Sequence, residues 1–265
     1  NGYTFFSGTD TEVLLKLYIK EGKRFLKRLN GFFAFAIYDK EEDSLFIARD
    51  RVGVKPLLVY KDEDKLLFAS EMKAMLAFGI NRKIDYVSLY QYLQFNYIPG
   101  PASIIKGVKK LEPGHYLYIK NGKVLKKAWY RIPYDKKKVK NNPHGYEQQQ
   151  KKLEELLDAS VQRRLIADVP LGAFLSGGID SSVIVALAAR HTDKLNTFSV
   201  GYRDEPFFDE TRYAKLVAEK YKTNHTLFSL SNQDLYDHLF QVLDYTDEPF
   251  ADSSALAVYI LSKYT

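Results

Sequence analysis

Between residues 169 and 230 the chain alternates two textures, and this alternation narrows its fold more than any other feature. Apolar segments of strand character at 169–175, 196–202 and 225–230 are separated by segments of helical spacing at 183–190 and 209–221. Two more helical segments follow at 233–245 and 254–264, and a long amphipathic one precedes at 146–165, with Leu153, Leu156, Leu157 and Val161 on one stripe. Strand–helix–strand–helix–strand requires crossover connections, which build a parallel, doubly wound sheet.

The first half has a different texture. A helix is expected over 11–19, where Val13, Leu14, Leu17 and Tyr18 share a face behind a cap candidate at Asp10/Thr11. The unbroken run Phe32 to Tyr38 (FFAFAIY) predicts a strand covered on both faces. A polar turn leads from it into 45–49, giving a hairpin, and 57–60 with 66–70 forms a second. Short helices are expected at 71–78 and 88–95. Segments 115–120 and 123–130 flank Asn121-Gly122, a strong two-residue hairpin signal. The expected architecture is α/β overall: a strand-rich domain at 1–132, a linker at 133–145 and a doubly wound α/β domain at 146–265.

Composition supports this division. The net charge of +6 averages two unlike halves, +12 over residues 1–145 and −6 over residues 146–265. Lys136, Lys137, Lys138 and Lys140 sit beside Asn141, Asn142, Pro143 and Gly145 with no interleaved aromatic stacking platform. That favours a linker over a nucleic-acid patch. With Cys 0 in 265 residues, a disulfide framework, a Cys-based metal site and a thiol nucleophile are all excluded within this sequence. The five His show no i, i+4 pair, so no protein-held zinc or haem is expected. No run of 18 apolar residues predicts a membrane span, and Asn-Gly-Tyr-Thr does not open a signal peptide. The sequence does not begin with Met and stops inside its last helix, so it is expected to be an internal piece of a longer protein.

The segment richest in chemistry is Leu175-Ser176-Gly177-Gly178-Ile179-Asp180-Ser181-Ser182, where a strand hands over to a helix. N–H groups at a helix start favour an anion, and two glycines let it approach the backbone closely. Three serines add hydroxyl donors. Asp180 would repel bare phosphate but suits the Mg²⁺ that accompanies a triphosphate. No Lys follows the glycines, so this is not a Walker A loop. The plainer reading is a Gly-rich turn whose Ser and Asp only cap the helix. Val200 and Gly201, at the end of the next strand, could accept an adenine ring, although a strand ending in Gly is common.

SGGIDSS resembles the pyrophosphate-binding loop of the ATP pyrophosphatases. VPLGAFLSGGIDSSV, TFSVGY, FDETRYAKLVAEKY and DEPFADSSA together resemble the synthetase domain of glutamine-hydrolysing asparagine synthetases. SGTDTEVLL, LNGFFAFAIYD, RDRVGVKPL and FASEMKAM resemble the later part of that family's glutaminase domain, an N-terminal-nucleophile hydrolase sandwich of αββα type. The resemblance covers nearly the whole sequence. It implies glutamine, aspartate and ATP as substrates, Mg²⁺ as cofactor, a cytoplasmic setting and a homodimer as a compatible assembly, with no nucleic-acid or membrane partner. In the implied reaction ATP adenylates the aspartate side chain, and ammonia from glutamine displaces AMP.

By resemblance, Asp10 matches the carboxylate that holds the glutamine amino group, its alternative being a plain helix cap. Leu175, Ser176, Gly177, Gly178, Asp180, Ser181 and Ser182 match the ATP loop, Asp180 also being the metal ligand. Val200 matches a backbone contact to adenine, with Gly201 beside it. Arg49, Asp50, Arg51 and Lys55 match a charged motif whose expected role is structural. Asp247, Glu248, Asp252 and Ser253 fall in a family segment near the synthetase site. The family's nucleophilic Cys, its Arg and its Asn-Gly pair have no counterpart; Asn1-Gly2 is too close to Asp10 and stays unassigned. A related amidotransferase or a β-lactam synthetase that adenylates a different carboxylate is the enzyme alternative, and a basic binding module the non-enzyme one.

Overall fold

The structure, a computed structural model, describes residues 4–265, so the Asn1-Gly2 pair lies outside the described residues. The chain divides into two compact units: Asn1–Tyr134 with Asp247–Ala251, and Asp135–Thr246 with Asp252–Thr265.

In the first unit, α1 (Asp10–Glu21) runs into a 3-10 segment (Gly22–Arg28) and then the hairpin β1 (Ala34–Asp39) and β2 (Ser44–Arg49). The hairpin β3 (Leu58–Lys61) and β4 (Leu66–Ala69) follows, then α2 (Met72–Ala77), α3 (Tyr86–Phe95), β5 (Val108–Lys110), β6 (His115–Lys120) and β7 (Lys123–Ala128). They form two antiparallel sheets, ordered β1-β2-β6-β7 and β4-β3-β5.

Strand alternation sets the layers. Phe46 and Ala48 of β2, with Tyr116 of β6, face Phe25 and Leu26 of the 3-10 segment. The intervening Ile47 and Leu117 face Leu57 and Leu111, with Val59 of the second sheet packed alongside. Leu58 turns the other way, onto Met72 and Met75 of α2. The order is therefore helix, sheet, sheet, helix. Phe25 and Phe46 are fully buried, each worth about 2–3 kcal/mol of transfer free energy.

The hairpin turn at Asn121-Gly122 forms as expected, both residues at positive φ (51° and 69°) between the paired Lys120 and Lys123. The expectation for the FFAFAIY run is corrected. Ile37 is the buried residue of β1 and shares its core with Phe35, whereas Tyr38 is 57% exposed and Phe32 45% exposed, since the core on the other face takes only Ala34 from this strand.

The second unit opens with α4 (Lys136–Lys140), a short exposed helix inside the expected linker, started by Asp135 accepting the N–H groups of Lys137 and Lys138. It continues through α5 (Tyr146–Arg164), β8 (Gly172–Phe174), α6 (Ile179–Ala188), β9 (Asn196–Tyr202), α7 (Thr211–Tyr221), β10 (Asn224–Leu230), α8 (Asn232–Tyr245) and α9 (Ser254–Tyr264). The strands are parallel in the order β10-β9-β8. Val161 of α5, Val185, Leu187 and Ala188 of α6, and Ala214 and Ala218 of α7 share a core with Leu175 and Leu195. Helices α8 and α9 pack on β10 and β9. Strand β8 is shorter than expected, since it pairs with β9 only from Gly172 to Phe174. Among the described residues no helix is long and apolar enough to cross a membrane.

Candidate active site

In the second unit the carboxyl end of the parallel sheet carries the Ser/Gly loop. Leu175 is tied to β9 on both sides of its peptide. Its N–H donates to the Phe198 carbonyl at 2.8 Å, and its carbonyl accepts the buried Ser199 hydroxyl. The chain then turns sharply at Gly177, with φ at 82°. A Cβ there would sit 2.5 Å from the Ala214 nitrogen and from the Tyr213 Cβ, so α7 leaves room only for glycine. Gly178 caps α6, which begins at Ile179, earlier than the turn expected through Ser182. Asp180, Ser181 and Ser182 therefore lie in the first helical turn, where the N–H groups of residues 179–181 lack intrahelical partners.

The serines support the loop as well as lining it. Ser176 Oγ and Ser181 Oγ are 3.0 Å apart, Ser176 Oγ accepts the Gly178 N–H at 3.3 Å, and Ser181 Oγ donates to the Gly178 carbonyl at 3.1 Å. The Ser182 N–H donates to the same carbonyl at 3.0 Å. Asp180 is exposed, and among the described residues its carboxylate engages no partner. No group of three or more His, Asp or Glu able to hold a metal ion occurs among the described residues. The loop thus offers a metal one carboxylate, which fits Mg²⁺ completed by phosphate oxygens and water.

Beside the loop lies a groove of about 500 Å³. Leu175, Ser176, Ser181 and Val200 line it, as do residues that the sequence did not single out: Phe174, Phe198, Tyr202, Phe208, Glu210, Thr211, Ser254, Ala257, Val258 and Leu261. Phe208 and Glu210 stand in the FDET segment, the one available signal for them. Gly201 is not in the lining. A Cβ on it would meet Thr211 Cγ2 at 2.7 Å and both Asp209 carboxylate oxygens at 3.3 Å, which makes its role one of packing.

The first unit has a groove of about 920 Å³, mostly apolar, with Asp10 and Lys55 its charged lining residues. Asp10 begins α1 but does not cap it. Thr9 accepts the Glu12 N–H, while Glu12 reaches back to the N–H groups of Phe6 and Ser7. The Ser7 hydroxyl and these backbone donors hold the Glu12 carboxyl below its usual value. Asp10 lines the groove, its carboxylate accepting the neighbouring Thr11 hydroxyl at 3.5 Å.

The charged motif beside it is a clamp. Asp50 is fully buried, and its carboxylate accepts the N–H groups of Val52, Gly53, Val54 and Lys55 at 2.7–3.1 Å. Burial pushes this carboxyl up, but the four donors outweigh burial and hold it below the ordinary carboxylate range. Arg49 donates to the carbonyls of Gly53, Lys55 and Leu111, and Arg51 to those of Lys27 and Leu29.

The four residues of the DEPFADSSA segment part company. Asp247 and Glu248 belong to the first unit rather than to the groove beside the Ser/Gly loop. Asp247 accepts the Met72 N–H at 2.7 Å; Glu248 accepts the Ile104 N–H at 2.9 Å and pairs with Lys110. Asp252 accepts the Ser254 N–H at 2.9 Å and Ser253 precedes α9, whose Ser254 does line the groove.

Comparison with known proteins gives these sites a context. Residues 1–130 match the glutamine amidotransferase domain family and residues 152–265 the asparagine synthase family. A Methanocaldococcus jannaschii protein provisionally named asparagine synthetase [glutamine-hydrolyzing] 2 is 40% identical over 97% of this chain and 50% of its own length. Asparagine synthetase [glutamine-hydrolyzing] 1 of Bacillus subtilis is 35% identical over 99% of this chain and 41% of its own length. Asparagine synthetase B [glutamine-hydrolyzing] of Escherichia coli is 31% identical over 91% and 40%. The chain spans about half the length, or less, of these relatives. With a glutamine amidotransferase domain and an asparagine synthase domain matched in this order, the chain belongs to the glutamine-hydrolysing asparagine synthetase family.

Proposed function

We propose that the protein carrying this chain makes asparagine from aspartate, glutamine and ATP. The observation that carries this reading is the Ser/Gly loop at the carboxyl end of the parallel sheet, where α6 presents its N-terminus and Asp180 beside a groove. Residues 146–265 then act as an ATP pyrophosphatase domain. Ser176, Gly177, Gly178, Ser181 and Ser182 cradle the phosphates, Asp180 holds Mg²⁺, and Leu175 and Val200, with Gly201 shaping the strand end, border the adenosine. An aspartate side-chain oxygen attacks the α-phosphorus as the bond to the bridging oxygen breaks, releasing pyrophosphate. Ammonia attacks the acyl carbon of the adenylate, loses a proton and expels AMP. A carboxylate is a poor electrophile, and AMP as leaving group cures this. Donors around the departing pyrophosphate stabilise its developing charge.

Residues 1–132 serve as a glutaminase of the N-terminal-nucleophile type, joined to the following domain through residues 133–145. Asp10 pairs with the ammonium of glutamine. With Cys 0 in this sequence, the thiol of that step is not one of these residues. The same reading includes a cytoplasmic, homodimeric enzyme. The test uses the protein that carries this chain in full, given ATP, Mg²⁺, aspartate and ammonium. Asparagine, AMP and pyrophosphate are expected in equal amounts. ADP in place of AMP, or AMP formation indifferent to aspartate, would end this reading.

A further inference from the structure

The groove beside the Ser/Gly loop has sixteen lining residues, and among them Glu210 alone carries a charge. A lone carboxylate in a site read as taking a triphosphate needs an account, since beside phosphate it would repel. Glu210 is exposed, and among the described residues its carboxylate has no partner. Its backbone carbonyl accepts the N–H groups of Tyr213 and Ala214 at the start of α7, so the helix fixes where the residue stands.

Two close packings locate that point relative to the loop and to the end of β9, although neither glycine lines the groove. Residues 213 and 214 press on Gly177 in the loop, and residues 209 and 211 press on Gly201 at the end of β9. Glu210 thus stands between the loop expected to hold phosphates and the strand end expected to border the base. In a nucleotide the group between phosphates and base is the ribose. Its two vicinal hydroxyls are donors, and a carboxylate has two oxygens to accept them.

We propose that Glu210 binds the ribose hydroxyls and makes the site selective for ribonucleotides over deoxyribonucleotides. This rests on the nucleotide-site reading above. A carboxylate at this position gives the site an acceptor pair that a deoxyribose leaves half used. The loss of one charge-assisted hydrogen bond corresponds to about tenfold in affinity.

The test measures equilibrium binding of ATP, 2′-deoxyATP and 3′-deoxyATP, each with Mg²⁺, to the protein carrying this chain in full. The wild type is expected to prefer ATP over each deoxy analogue by about tenfold. Glu210→Gln should shrink that preference to within about twofold, mainly by weakening ATP, with 2′-deoxyATP little changed. Glu210→Ala should do the same, and circular dichroism of both variants checks that they fold. A preference that survives both substitutions overturns the assignment. So does an equal loss for all three nucleotides that extra Mg²⁺ repairs, which would make Glu210 a metal ligand. If the wild type binds none of the three, the nucleotide-site reading itself fails, an outcome distinct from either.

Discussion

Asp50 and Asp180 are both carboxylates in glycine-containing loops within charged or polar motifs, yet they live opposite lives. Asp50 is fully buried and spends its two oxygens on four backbone N–H groups. Asp180 stands exposed in the first turn of α6 with no partner among the described residues. A carboxylate whose acceptor capacity is consumed by its own loop builds that loop. One held by a helix but left open is available to a ligand.

Substitution should separate the two. Asp50→Ala would leave four part-buried loop N–H groups without their shared acceptor and is expected to cost about 3 kcal/mol of unfolding free energy, read from urea denaturation. A loss under about 1 kcal/mol would erase the contrast. The pH dependence follows. The folded-state value of Asp50 is depressed, so its contribution is present above the unfolded carboxyl value near about 3.9 and is lost as pH falls through the folded one. Asp50→Asn should accordingly flatten the acid limb of a stability–pH curve.

Asp180→Asn should behave the other way round. Stability should change by no more than about 0.5 kcal/mol, while aspartate-dependent AMP formation falls by about 100-fold or more. Gly177→Ala tests whether the loop's shape is as constrained as its contacts imply. Positive φ and the pressure of α7 predict a loss of about 2 kcal/mol or more. The smallest effect sharpens the assignment of Asp10. If Thr9 is the true cap, Thr9→Ala costs about 1 kcal/mol whereas Asp10→Ala costs much less. The reverse order would return Asp10 to a capping role.

Legibility followed range. The Asn121-Gly122 turn, the hairpin strands and the helices at 146–164 and 254–264 depend on local pattern, and local pattern announced them. The FFAFAIY run is covered on less of its surface than its pattern predicts, because apolarity says that a strand can be covered, not that anything covers it. At 176–182 turn and helix-start chemistry use the same Ser, Gly and Asp residues, so the sequence could not say that α6 begins at Ile179. DEPFADSSA reads as one stretch. Contacts to Met72, Ile104 and Lys110 place its first part in another unit, and those partners are more than 130 residues distant.

What the sequence by itself determined is therefore the alternation that demands a parallel sheet, the position of its Ser/Gly loop and, through shared motifs, the family. Periodicity and turn chemistry act over a few residues, and they are printed in the chain. Only the tertiary structure decided which charged residues are consumed and which are open to a groove: Asp50 in its clamp, Glu248 on Lys110, Asp10 relieved of capping by Thr9, and Glu210 left as the lone charge of its groove. Burial and hydrogen-bond partners come from whatever the fold brings alongside, and no single segment carries that information.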